Sequence, residues 1–343
     1  MNIESLADKT IEALSVSSGQ VICIWASTHS VDFIKALAFR IRARGAFWTV
    51  RLIMEPLLQR IGKEVPQEYL SLVPEHELRW LADMSAIIEV HDHGGHIPGV
   101  EISRRRAMGA EWIALMREAE RCGCRHFIVT NPTSALAKAY GVPVKVLRQR
   151  YWHAMEIDAH ALDAQQEQVA KRLAGVREVH ITTPQGTDLR LHIEGRPIHQ
   201  DHDSLPRGEV YVAPLEESAE GVAVSDRVFI RGKAVEKLSL TFERGRVAHI
   251  AAPEAESVQL LEGLLAASSG DKDRIAELGI GLNPGVKELT GDVLLDEKLC
   301  GSVHVAIGMN DRFGGKNRSN LHMDLVMLQP SLWLDGEPWR WMS

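Results

Sequence analysis

Apolar residues recur in two different patterns along this chain, and the pattern changes near residue 177. In the first half, short apolar runs alternate with segments whose apolar positions have helical spacing. The runs predict buried strands at VICIWAS (21–27), FWTVRLIM (47–54), SAIIEVHD (85–92) and HFIVTNP (126–132), and the helical segments lie at 31–44 and 102–122. Strands that alternate with helices through short turns are typical of a parallel sheet covered by helices on both faces.

The second half has the pattern of an antiparallel sheet. Residues 134–174 are polar and helical, and they predict a connection that ends near Gly175. Beyond it, strand-like segments follow one another at a spacing of roughly ten residues, at 178–184, 188–195, 208–214, 226–232, 238–245 and 246–252, and a helix near 254–276 interrupts them. We therefore predict an α/β N-terminal domain with a parallel sheet (1–165) and an α+β C-terminal domain with mostly antiparallel strands (166–343).

Composition and charge exclude several classes of protein. The chain has 343 residues, a net charge of -7 and no basic excess, so we expect no nucleic-acid partner. It has neither a basic start followed by an apolar run nor about 18 uninterrupted apolar residues, so we expect no signal peptide and no membrane span. Four cysteines make no disulfide framework and favour a reducing cytoplasm. No Gly-x-Gly-x-x-Gly motif follows the first strand, so a dinucleotide site is not predicted.

Carboxylates and histidines are concentrated in the last third of the chain. His322 and Asp324 lie two residues apart in a run of leucines and methionines, so on a strand they share one face while the apolar residues share the other. On a strand, His304 would share one face with Ser302 and Ala306, and these small residues leave room for an ion. Three more carboxylates lie in glycine-bounded segments: Glu209, Glu277 and Glu297.

These residues have two competing interpretations. A single histidine or glutamate in a strand is most often a surface residue or a hydrogen-bonded one. Several of them converging on one buried face are different, because buried carboxylates without a counter-charge are costly. Imidazole and carboxylate together are ligands of divalent metals, and carboxylates can bridge two ions. Spacing alone leaves both interpretations open.

A family resemblance favours the metal. The segments GEVYVAP, ESAEG, AELGIGLNPG, LLDEK, HVAIG, GGKN and HMDL occur in the order found in the aminopeptidase T/aminopeptidase S family of metallo-aminopeptidases. The resemblance covers about residues 177–336 and includes TTPQGTDLRLHIEGRP (182–197), whereas the N-terminal half is similar only in layout. It implies a cytoplasmic, homodimeric hydrolase that removes N-terminal residues from peptides with two divalent ions, which are zinc, cobalt or manganese.

The resemblance also implies roles for single residues. The family's metal-ligand positions are occupied here by Glu209, Glu277, His304, His322 and Asp324, with Glu297 as a further ligand although its spacing to His304 is slightly long. We predict that Glu277 is also the base that takes a proton from the attacking water. A family tyrosine seven residues after the first histidine is replaced here by Asp311. Either Asp311, Arg312 or Lys316 takes its catalytic place, with Asp311 our prediction, or the chemistry differs.

Two other functions stay open at this point. The 2,5-dihydroxypyridine dioxygenases resemble distant relatives, and they use one iron held by two histidines and a carboxylate. Glu277 and His304 favour hydrolysis over that chemistry, although the chain is short for the family's aminopeptidases. A peptide-binding protein without catalysis is the other alternative. The HDHGGH segment (91–96), at the end of a predicted strand, is a candidate metal site. We favour the interpretation that it is a polar loop.

Overall fold

The computed structural model describes residues 2–94, 97, 99–230 and 233–340. Its helices are α1 (Ile3–Leu14), α2 (Val31–Ala43), α3 (Glu55–Glu64), α4 (Gln67–Leu70), α5 (Glu75–Leu81), α6 (Ile102–Cys122), α7 (Ser134–Ala139), α8 (Val144–Met155), α9 (Ala159–Leu173), α10 (Ala255–Ala267) and α11 (Val293–Asp296). Within these ranges, no helix combines the length and the apolarity that crossing a bilayer requires.

The strands, in chain order, are β1 (Val21–Ser27), β2 (Phe47–Ile53), β3 (Ala86–His91), β4 (Arg125–Thr130), β5 (Glu178–Thr182), β6 (Asp188–His192), β7 (His199–Gln200), β8 (Ser204–Leu205), β9 (Glu209–Val212), β10 (Glu220–Ile230), β11 (Lys233–Glu243), β12 (Arg246–Ala251), β13 (Ile275–Gly281), β14 (Val303–Gly308), β15 (His322–Met327), β16 (Ser331–Leu334) and β17 (Glu337–Trp339). They form three sheets, and the chain divides into two compact units.

Unit 1 is built around a parallel sheet. It contains the chain through Trp152 together with the short segment His202–Pro206. The strand order is β2-β1-β3-β4-β8, and every pair is parallel. Strand β1 is buried along nearly its whole length, as a central strand covered on both faces should be. Side chains cap some of its helices: Asn2 on α1 and Thr133 on α7 each accept a backbone N–H of the first turn. This confirms the predicted α/β N-terminal region.

Unit 2 contains His153–Asp201 and the chain from Arg207 onward. A seven-stranded sheet has the order β12-β11-β10-β6-β5-β16-β17, and a five-stranded sheet has the order β15-β14-β13-β9-β7. All pairs in both sheets are antiparallel. One apolar core includes Leu278, Val305 and Leu325 from the five-stranded sheet and Leu189 and Leu240 from the seven-stranded one. The predicted antiparallel C-terminal part is therefore confirmed.

The domain limits 1–165 and 166–343 remain a prediction, because the compact units are defined by contacts and not by independent folding. The units divide after Trp152, within helix α8, so helix α9 lies wholly in unit 2. A short return of the chain to unit 1 adds β8 to the edge of the parallel sheet, beside β4. The linear order of elements did not predict this return, since two strand residues are too few to show a periodicity.

Candidate metal centre

Four neighbouring strands of the five-stranded sheet present five of the six predicted ligands on one face. Strand β13 carries Glu277, strand β14 carries His304 and strand β9 carries Glu209, while His322 and Asp324 lie on β15. Their neighbours along each strand, such as Leu278, Val303, Val305, Met323 and Leu325, point into the apolar core. Alternation along a strand therefore separates a polar face from the core face, as the sequence predicted.

Each of these five ligands lies opposite a glycine or an alanine on a neighbouring strand. Glu209 pairs with Gly281, and His304 pairs with Gly279. His322 pairs with Gly308, and Ala306 lies between Glu277 and Asp324. Small residues at these positions leave space above the sheet for the longer polar side chains. At Gly279 the space is fully used, because an added Cβ would lie 2.1 Å from Nε2 of His304.

The five side chains meet in two groups that share Glu277. Ligand atoms of Glu209, Glu277 and His304 all lie within 4.8 Å of one another, and so do those of Glu277, His322 and Asp324. Oε1 of Glu277 is 3.3 Å from Nε2 of His304, and its Oε2 is 3.4 Å from Nε2 of His322. The two oxygens of one carboxylate thus face two different histidines, which is the arrangement of a bridging ligand.

The electrostatics of the site are those of closely packed opposite charges. Burial opposes ionisation of Glu277, but hydrogen bonds and charges of His304 and His322 lower its pKa to about 2. Burial also disfavours a charged His304, whereas Glu277, Glu209 and Asp324 raise its pKa to about 9. The pKa of Glu209 is raised by burial first and by the charge of Glu297 second. The surrounding carboxylates therefore favour positive charge beside them, either a protonated histidine or a bound cation.

The residues present fit a divalent metal ion. Within the described residues, Oε2 of Glu209 and Oδ1 of Asp324 are buried and make no hydrogen bond, although each faces a histidine nitrogen at 3.4 Å. Buried acceptors that make no hydrogen bond are costly, and a metal ion between oxygen and nitrogen would satisfy them. Nδ1 of His322 is 2.8 Å from the backbone oxygen of Met309, which orients the ring so that Nε2 faces the carboxylates. Oxygen and imidazole ligands together suit zinc and similar first-row ions.

Glu297 adjoins the two groups without belonging to either. It directly follows helix α11, and its carboxylate contacts the ammonium of Lys298. Burial raises the pKa of Glu297, and the ammonium of Lys298 lowers it. The negative charge of Asp324 also raises it, so the carboxylates of Glu297 and Asp324 repel each other. Its role as a further ligand stays a prediction.

Asp311 lies in the loop between β14 and β15, outside both groups. Its carboxylate is 3.7 Å from Nε of Arg318, and its backbone N–H donates to the carbonyl of Asn317. The loop is held over the end of β13, because the amides of Asn310 and Asn317 donate to the carbonyls of Ala276 and Ile275. The structure therefore brings five of the seven predicted site residues into the two groups, and the catalytic role of Asp311 stays a prediction.

Two charged residues of the centre were missed by the sequence reasoning. Lys298 is 1% exposed, and its Nζ lies 2.9 Å from Oε1 of Glu209 and 3.3 Å from Oδ2 of Asp201. Asp201 lies in the segment HQDHD (199–203), and it is buried against Lys298. The LLDEK motif could have indicated this burial, because it places a lysine next to a predicted ligand. A lysine is fully buried only where acidic side chains pair with it.

Aromatic rings line one side of the centre. Tyr211 shares the face of Glu209 on β9, stacks on His199 at 5.1 Å between ring centroids, and meets the edge of Phe313 at 5.6 Å. Phe313 in turn lies 6.0 Å from the ring of His322. Burial raises the pKa of the Tyr211 hydroxyl, and the charges of Glu209 and Glu277 raise it further. An apolar wall beside a polar centre is the usual composition of a small-molecule site.

Known structures have the same fold. Wild-type AmpT from Thermus thermophilus superposes with a TM-score of 0.79 at 23% identity, over 98% of this chain and 96% of that one. A 2,5-dihydroxypyridine dioxygenase from Pseudomonas putida KT2440 superposes with a TM-score of 0.67 at 15% identity, over 98% and 94%. At such identities these matches establish the fold. Among curated proteins, none matches this chain significantly.

The family is established by a match over nearly the whole chain. The model described as thermophilic metalloprotease (M29) matches residues 2–337, so it includes the N-terminal half, where the motifs gave only a similar layout. The resemblance to the aminopeptidase T/aminopeptidase S family is thereby confirmed, and with it the interpretation of the chain as a metal-dependent hydrolase. The chain belongs to the thermophilic metalloprotease (M29) family.

Proposed function

We propose that this chain is a metal-dependent aminopeptidase that hydrolyses N-terminal residues from peptides. The observation that carries the proposal is the position of Glu277, whose two oxygens face His304 and His322 in two adjoining ligand groups. Family membership supports a peptidase, and two groups that share one carboxylate support two ions. We propose zinc, cobalt or manganese as the metal. We also propose that the chain acts in the cytoplasm as a homodimer.

The proposed ligands divide between two positions. Glu209, Glu277 and His304 would hold one ion, and Glu277, His322 and Asp324 the other. Bound divalent ions lower the pKa of a coordinated water toward neutrality and polarise a carbonyl.

The protein's own side chains would transfer the proton and contact the substrate. Glu277 is ionised near neutral pH because both histidines favour its charged form. It would accept the proton of an attacking water, and pass it to the leaving amine, through an oxygen that is not bound to an ion at that moment. Glu297 lies beside the centre and is the second candidate for this role. The aromatic wall of Tyr211 and Phe313 gives an apolar surface against which a peptide side chain can pack.

The dioxygenase is the alternative that the ligand geometry disfavours. Its iron site needs two histidines and one carboxylate around one ion. Among the described residues, neither group contains both histidines, since His304 belongs to one and His322 to the other. The fold match to a dioxygenase is also lower than that to AmpT, at a TM-score of 0.67 against 0.79.

The test uses the full chain, stripped with a chelator and reloaded with zinc, cobalt or manganese. We expect hydrolysis of aminoacyl and peptide substrates with a free amino group to be lost on stripping and restored on reloading. The matched control is the same substrate with an acetylated amino group, which should not be cleaved. Undiminished hydrolysis after exhaustive chelation would exclude the metal mechanism. Ring cleavage of 2,5-dihydroxypyridine by the iron-loaded chain, with no peptide hydrolysed, would favour the dioxygenase.

A further inference from the structure

A buried lysine occupies the side of the centre where one ion is proposed to bind. The side chain of Lys298 is 2% exposed, and its ammonium contacts three carboxylates, those of Asp201, Glu209 and Glu297. Two of these, Glu209 and Glu297, are predicted metal ligands. Their negative charge is therefore shared between any bound ion and a cation that belongs to the protein.

Of the five residues that form the two ligand groups, Glu209 is the one with which Lys298 makes an ion pair in the described part of the chain. Oε1 of Glu209 faces Lys298 at 2.9 Å, while its Oε2 lies 3.4 Å from Nε2 of His304. In the other group, His322 and Asp324 have no ion pair with Lys298 in the described part of the chain, and Nε2 of His322 is 3.4 Å from Oδ1 of Asp324. The positive charge of the lysine therefore adjoins one proposed ion position more closely than the other.

We infer that Lys298 makes the two ion positions unequal: an ion at Glu277, His322 and Asp324 binds tightly, and an ion at Glu209, Glu277 and His304 binds weakly. Two effects of the lysine act in the same direction. Its ammonium neutralises Glu209, which lowers the attraction of that carboxylate for a metal. Its charge also repels a divalent ion a few ångströms away, and in a buried site such repulsion is weakly screened. The inference rests on the proposed metal centre.

The test measures metal binding and not activity. The chelator-stripped full chain is dialysed against zinc buffered at a series of free concentrations, and zinc per chain is measured by elemental analysis. We expect two binding steps in the wild type, separated by at least about tenfold in free zinc. In Lys298→Met, which keeps the side-chain volume, the weaker step should tighten by at least about tenfold and the tighter one should stay within about threefold.

The matched control is Lys272→Met, which removes a lysine whose ammonium donates to the carbonyl of Ser268, away from the ligands. It should leave both steps unchanged. Two equal steps in the wild type would overturn the inference even if Lys298→Met does not fold, and so would a folded Lys298→Met with an unchanged separation. These outcomes are distinct from a failure of the proposed function, since unequal zinc binding by a chain that cleaves no peptide would contradict only the latter.

Discussion

At the scale of single residues, Glu277 is the side chain on which both proposed ion positions depend. It is 7% exposed and belongs to both ligand groups. His322 belongs to one group, and its Nδ1 is already engaged by the carbonyl of Met309. Substitutions at these two residues should therefore have different consequences for metal content.

We predict that Glu277→Gln loses metal from both positions, because an amide is a weaker ligand than a carboxylate. The amide also cannot accept the proton of the attacking water, so catalysis should slow. The turnover number should fall by a factor of about 10²–10⁴, the usual effect of removing a positioned base. His322→Ala should lose its own ion and most of the activity, while a second ion is still bound at high free metal. Elemental analysis and initial rates on a free-amine substrate measure both effects.

Glu262→Gln is the control for this substitution, since Glu262 is exposed on helix α10. It should change neither metal content nor rate. A Glu277→Gln protein with full metal and near-wild-type turnover would show that the base lies elsewhere, with Glu297 and Asp311 the next candidates.

The sequence identified the ligand types but not the partners of Lys298. Strand alternation placed His322 and Asp324 on one face, whereas Glu209 joined the ligand set through the family resemblance. The direction of Lys298 could not be deduced in this way. It follows a four-residue helix, where neither a two-residue nor a 3.6-residue period applies. Its burial depends on carboxylates that are distant in sequence, such as Glu209.

At the scale of secondary-structure elements, strand pairing determines where the ligands stand. Glycines lie opposite three of the five ligands, which are Glu209, His304 and His322. Gly279 on β13 lies under the imidazole of His304 on β14, and the space for a methyl group is taken by Nε2 and Cε1 of that ring.

We predict that Gly279→Ala displaces the His304 ring and weakens zinc binding at the Glu209, Glu277 and His304 group by about 10–100-fold, the usual effect of disturbing the support of a ligand. Gly109→Ala is the matched control, because an added Cβ there meets nothing within 4 Å on helix α6. The control should bind zinc normally and gain about 0.5–1 kcal/mol in unfolding free energy. Equilibrium dialysis and urea unfolding measure the two effects, and zinc binding by Gly279→Ala equal to wild type would contradict the prediction.

The elements that were predicted well are those with strong apolar periodicity. Strand β1 (Val21–Ser27) and helix α6 (Ile102–Cys122) have the predicted limits. Helices α3 to α5 were not predicted, because few of their residues are buried: Gly62, Leu70 and Leu81. The predicted helix near 254–276 ends earlier, at Ala267.

Strands β10 and β11 form a hairpin longer than the sequence indicated. Each has eleven residues, whereas the predicted segments were 226–232 and 238–245. The difference arises because charged side chains such as Glu236 and Lys237 interrupt the apolar pattern on the exposed positions of β11. An antiparallel strand tolerates such residues where one of its faces meets solvent.

At the scale of the whole molecule, every residue of the two ligand groups belongs to unit 2. A metal that binds these residues only in the folded state should therefore stabilise that unit by mass action. The net charge of the chain is -7, and several of its carboxylates are concentrated at the centre, so the metal-free protein also has local repulsion that a cation would relieve.

We predict that zinc at about a hundredfold its dissociation constant stabilises the fold by about 2.7 kcal/mol. For a unit of this size such a gain raises the melting temperature by about 5–10 °C. Differential scanning calorimetry of the stripped and the reloaded chain measures the rise. His322→Ala, which lacks a ligand, should show a smaller rise. Asp311→Ala should keep the full rise, because Asp311 lies outside both ligand groups. Equal melting temperatures for the stripped and the reloaded wild type would mean that the ions do not bind the folded centre.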